Sequence, residues 1–83
     1  MSKIIVEVYV PFLNETYDIF VPGQAQMYVV LGLIKRAVKE LSDNRFLPDE
    51  NTVICYRDSG QILDINYSVQ ELELQNGSKL MLI

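Results

Sequence analysis

Few side chains in this chain are able to do chemistry. Cys55 is the single cysteine, and there is no histidine. A nucleophilic cysteine needs a base or cation beside it to form its thiolate. Without imidazole, the nearest charge is Arg57, two positions along the same predicted strand. A lone strand cysteine is ordinarily a small packing hydrophobe, so Cys55 is expected to be structural. Its facing stays open, because Val53-Ile54-Cys55-Tyr56 is apolar on both sides of a strand. One cysteine excludes an internal disulfide and a multi-cysteine metal site. Missing histidine removes the usual zinc ligand and the near-neutral proton switch. The carboxylates offer two close pairs, Asp49-Glu50 and Glu71-x-Glu73, both in predicted turns and neither with calcium-loop spacing. Gly23, Gly32, Gly60 and Gly77 are isolated and make no phosphate-cradling loop. The expectation is a protein that is not an enzyme and holds neither metal nor cofactor.

The composition narrows the partners. Eighty-three residues, 49% of them hydrophobic, suit one domain spanning 1–83 with one modest core. A formal charge of −4 with no basic cluster is repelled by phosphate backbones, which argues against nucleic acid. Met1-Ser2-Lys3 leads straight into strand-like residues without the apolar region of a signal peptide. The longest apolar run, Met27 to Ile34, contains Gly32 and falls far short of the roughly 20 residues that span a bilayer. A cytoplasmic protein without direct membrane insertion is expected.

The elements that must position these residues are legible from periodicity. Ile4, Val6, Val8 and Val10 alternate with Ile5, Glu7 and Tyr9, and Pro11 to Glu15 breaks the run. Tyr17, Ile19 and Val21 then alternate with Asp18 and Phe20, completing an antiparallel hairpin. A helix is predicted from about Ala25 to Leu41, with Met27, Val30, Leu31, Ile34, Ala37, Val38 and Leu41 on its apolar face. Thr52 to Arg57 reads as a third strand, Asp58-Ser59-Gly60 as a turn, and Gln61 to Asp64 as a short fourth strand. Ser68 and Glu71 have capping-box spacing for a single helical turn. Asn76-Gly77 launches a last strand in which Leu80 and Leu82 alternate with Met81 and Ile83. The class is α+β: a β-hairpin, a helix, a β-hairpin, a short turn and a final strand. A mixed sheet of four to five strands laid on one long helix buries these stripes. That is the β-grasp arrangement.

Here the chain resembles ubiquitin. The order of elements carries the likeness, with Met27, Val30 and Ile34 on the helix, Leu47-Pro48-Asp49 after it, and the segment Ser68 to Leu80. Within that superfamily it is most similar to the bacterial YukD-like proteins of type VII (WXG100, ESAT-6-like) secretion loci. Its size of about eighty residues, the Asn76-Gly77 turn and a last strand without Gly-Gly carry that likeness. The resemblance implies a cytoplasmic accessory or regulatory component of the secretion machine, acting through protein contacts. Ubiquitin-like modifiers and sulfur carriers, the alternative reading, are activated at an exposed Gly-Gly tail. Here the last glycine is Gly77, and Leu80 and Leu82 read as core. Conjugation or sulfur transfer is therefore not expected. A β-grasp adaptor of another pathway is the third reading.

Apolar residues remain after the core is filled. Ile5, Tyr9, Phe20, Met81 and Ile83 fall on the outer sheet face, with one residue pair of the third strand. In the ubiquitin arrangement the first and last strands are adjacent, so Ile5, Met81 and Ile83 are expected to be neighbours. The resemblance places a recognition patch on this same face. Five converging apolar residues predict a surface for a protein partner, either a membrane-anchored component of the machine or a second copy of the chain.

Overall fold

The computed structural model describes residues 2–83, so Met1 of the Met1-Ser2-Lys3 lead-in lies outside the described residues. Strand β1 (Lys3–Val10) and strand β2 (Glu15–Pro22) form the predicted hairpin. Helix α1 (Met27–Leu41) follows, then β3 (Ile54–Tyr56) and β4 (Ser78–Leu82). The sheet order is β2-β1-β4-β3. The β1–β2 and β3–β4 pairings are antiparallel, and β1 runs parallel to β4.

Alternation sets which face each strand buries. Val6, Val8 and Val10 of β1, Ile19 and Val21 of β2, and Leu80 and Leu82 of β4 are all buried. Met27, Val30, Ile34 and Val38 of α1 close over them at 3- and 4-residue spacing. Leu41, expected on this face, is instead 56% exposed. The helix ends at Leu41, and the next residue, Ser42, is fully buried, its hydroxyl donating to Lys39 O and accepting the Phe46 N–H. Asp43 and Asn44 are both left-handed, and their N–H groups return to Glu40 O and Lys39 O. That is the paired 5→2 and 6→1 closure of a Schellman turn, made here without glycine.

The helix begins at Met27 rather than Ala25, and Gln26 supplies no side-chain cap. The N–H groups of Met27 and Tyr28 are satisfied by the carbonyls of Tyr67 and Ile65, at 2.8 and 3.1 Å. A distant loop therefore caps the helix through its backbone.

The second hairpin is shorter than predicted. Gln61 to Asp64 forms no strand; a single bridge joins Cys55 to Ile62. Leu63 turns into the core, and Asp64 at once starts a new turn, accepting the Asn66 N–H at its side chain and the Tyr67 N–H at its carbonyl. Too few residues remain to extend a ladder. The predicted capping box is present: Ser68 Oγ accepts the Glu71 N–H at 3.0 Å and Glu71 Oε1 accepts the Ser68 N–H at 2.8 Å. One turn forms, and Glu73 ends it at φ 57°.

Gly77 sits at φ 87°, a conformation that glycine adopts freely. Its N–H bonds Ile5 O at 2.8 Å, and Asn76 Oδ1 accepts the Ile5 N–H at 2.8 Å. This turn pins the start of β4 against Ile5 and fixes the parallel register from there onward.

Candidate protein-interaction surface

The outer sheet face is built in rows by the three registers. In the first row Phe20 stands across from Ile5. In the second, Asp18 pairs with Glu7 and Glu7 with Lys79. Continuing the β3–β4 register sets Arg57 beside Lys79, whose carbonyl accepts the Arg57 N–H at 3.1 Å. The third row holds Thr16, Tyr9, Met81 and Cys55. Ile83 follows in a fourth, bonded in both directions to the backbone of Val53 at 2.8 and 3.0 Å.

Sequence reasoning places Ile5, Met81 and Ile83 together, and the register separates them. Met81 pairs with Tyr9, four residues beyond Ile5. At about 3.3 Å per residue, that is roughly 13 Å along the strand. The cause is the Asn76-Gly77 turn, which sets the beginning of β4, not its end, beside Ile5. The five residues thus form two groups, Ile5 with Phe20 and Tyr9 with Met81 and Ile83. A charged row lies between them. Phe20 is 67% and Ile83 50% exposed, while Ile5, Tyr9 and Met81 are half-buried.

The third row has internal organisation. The Arg57 guanidinium lies 4.2 Å from the Tyr9 ring centroid, a cation–π contact spanning β4. Tyr9 donates its hydroxyl proton to Asn14 Oδ1 at 2.9 Å. Cys55 stands opposite Met81 and so points outward, which settles its facing, yet it is fully buried. Its thiol donates to Met81 O at 3.5 Å, and burial pushes its pKa up from the ordinary thiol value. A raised pKa and no accessible surface describe a packing cysteine, not a nucleophile.

A second exposed apolar group was not anticipated from sequence. Phe12, at 76% exposure, and Phe46 pack with ring centroids 6.0 Å apart and planes tilted by 54°. With Leu47 and Arg45 they line a hollow of about 270 Å³ at the tip of the β1–β2 hairpin. Arg45 is held by Glu15 Oε1 at 2.9 Å and by Ser42 O at 2.9 Å. The Tyr17 hydroxyl, and then Arg45, hold the Glu15 carboxyl below its usual pKa. Phe12 and Leu13 inside a predicted turn were the available signal, since turns seldom carry adjacent large apolar residues.

Among the described residues, no group of three potential ligands is placed to hold a metal ion. No described helix is long and apolar enough to cross a membrane.

These features define a ubiquitin-like fold, an open mixed sheet with one helix laid across its inner face. No protein-family model matches the chain, and no curated protein matches it. Solved structures do. The EccD5 ubiquitin-like domain from Mycobacterium xenopi superposes with a TM-score of 0.72 at 19% identity, covering 100% of this chain and 94% of that one. The ubiquitin-like domain of the Mycobacterium tuberculosis type VII secretion system protein EccD1 gives 0.77 at 13% identity, over 100% and 99% of the two chains. A chain of a toluene 4-monooxygenase complex matches with a TM-score of 0.76 at 13% identity, over 98% and 96%. What these share with the present chain is the fold. Its neighbours include the ubiquitin-like domains of type VII secretion proteins and a chain from an enzyme complex.

Proposed function

We propose that the chain is a non-catalytic protein-interaction module, a YukD-like accessory or regulatory component of a bacterial type VII secretion system acting in the cytoplasm. The observation that carries this reading is the outer sheet face. The helix covers only the inner face, leaving Tyr9, Met81, Ile83, Ile5 and Phe20 outward around a band of charge. A face of this kind suits docking better than catalysis, because its sole thiol is buried and, among the described residues, its charged groups form no ion pair. Full-length likeness to two EccD domains supports secretion as the setting. The partner is a protein component of the machine, one anchored in the membrane included.

The test is a pair of substitutions, Met81→Asp with Ile83→Asp. Capture of type VII secretion components is expected to be lost while the melting temperature shifts by only a few degrees, as is usual for surface substitutions. Capture at the wild-type level, or loss of the folded state, would sink the docking face. WXG100 proteins and an FtsK-like ATPase encoded beside the gene are the expected genomic setting; their absence would remove the secretion assignment and leave a β-grasp adaptor.

A further inference from the structure

The charged row on the outer face has an order: acid, acid, base, base. Asp18 on β2 and Glu7 on β1 lie on one side, and Lys79 on β4 and Arg57, the residue after β3, on the other. Among the described residues the one ion pair is Arg45–Glu15, so none of these four charges is matched within the chain. Asp18, Lys79 and Arg57 are exposed and Glu7 is half-buried.

Such a row is complementary to itself. A two-fold axis parallel to the strands, between β1 and β4, exchanges β1 with β4 and β2 with β3 of a facing sheet. Asp18 then lies over Arg57 of the second copy, and Glu7 over its Lys79. The same operation lays Tyr9 over Met81 of the second copy, a favourable sulfur–aromatic pairing. It also sets Ile83 over Pro11, and Ile5 over Gly77, where no atom lies within 4 Å of a Cβ position. In the charged row acid meets base and in the next row Tyr9 meets Met81, in the isologous manner of a two-fold interface. The arrangement is that of two aligned sheets packed face to face.

We infer that the outer sheet face docks a second copy of this chain through the Asp18–Glu7–Lys79–Arg57 row. The inference rests on the proposed docking role of this face and adds to it a second copy of the chain as an occupant. At about 4.8 Å between strands and 3.3 Å per residue, the paired part of the face covers only some 300 Å². Stable complexes bury about 800 Å² on each partner, so the dimer is weak and concentration-dependent.

Charge swapping tests it with the whole chain. One variant carries Glu7→Lys with Asp18→Lys, and the other Lys79→Glu with Arg57→Glu. In sedimentation equilibrium taken into the millimolar range, the wild type is expected to associate. Each variant alone should self-associate at least about tenfold more weakly, since like charges then face each other. An equimolar mixture should recover association, because reversed acids meet reversed bases. Should a reversal melt the fold, the neutralising Asp18→Asn and Arg57→Gln variants take its place, each expected to weaken self-association. A monomeric wild type at millimolar concentration, unimpaired variants, or a folded mixture that stays monomeric would each overturn the inference. Capture of secretion components is measured separately on the same charge-swapped variants, so loss of self-association with capture intact leaves the docking function standing.

Discussion

The two faces of this sheet obey the same alternation but are governed by different physics. On the inner face every alternate residue of β1, from Val6 to Val10, is fully buried. Burial there needs only that apolar side chains point the same way, and a period of two guarantees it. On the outer face what matters is which residue stands beside which, and that depends on register. Ile5 and Met81 share a face yet stand four residues apart along it. An inner face tolerates ignorance of register, because any apolar neighbour serves. An outer face does not, because its function is a pattern.

The largest effect that sharpens this contrast comes from truncating neighbours in β4. Leu80 is fully buried in the core, and Leu80→Ala should destabilise by about 2–5 kcal/mol in urea unfolding. Met81, next in sequence and half-buried on the outer face, should cost no more than about 1 kcal/mol when changed to alanine. Equal losses at the two positions would mean that the outer face is a second core, and the distinction between the faces would fail.

The same contrast explains what could be read in advance. The hairpin, the helix and its core stripe, the Ser68–Glu71 capping box and the last strand all follow from local spacing, and all are present. What local spacing could not supply was contact between distant segments. The helix N-terminus is closed by the carbonyls of Ile65 and Tyr67, some forty positions away. Leu41 has helical spacing for the core, but the Schellman turn at Asp43 and Asn44 ends the helix there and leaves it exposed. Gln61 to Asp64 has strand-like residues but is cut short by the turn at Asp64. For the candidate surface, the membership of the face was legible and its layout was not. Asp18, Glu7 and Lys79 come from three strands and Arg57 from the end of the fourth, and they form a row only once three registers are known.

Register itself can be loaded at one residue. Gly77 at φ 87° holds the turn that bonds β4 to Ile5, and a Cβ there meets nothing within 4 Å. Gly77→Ala should therefore cost only the backbone penalty of a left-handed residue, about 1–2 kcal/mol. Gly77→Asn should cost less, since asparagine tolerates that conformation. Amide exchange at Ile5 and Gly77 reports whether the turn opens. A neutral Gly77→Ala would show that the β4 register is held elsewhere, and the outer rows would then not depend on this turn.

The smallest effect asks whether the outer face is free to be used. Arg57 lies across β4 onto Tyr9, an exposed cation–π contact worth about 0.5–1 kcal/mol. Arg57→Ala should lower unfolding stability by no more than that, and Arg57→Lys by less, because an ammonium keeps the charge over the ring. A loss well beyond that range would make Arg57 a structural strap, committed to Tyr9 and unable to turn toward a facing carboxylate. A loss within it means that little holds the guanidinium in place. The residue would then leave Tyr9 at small cost, as pairing with Asp18 of a second copy requires.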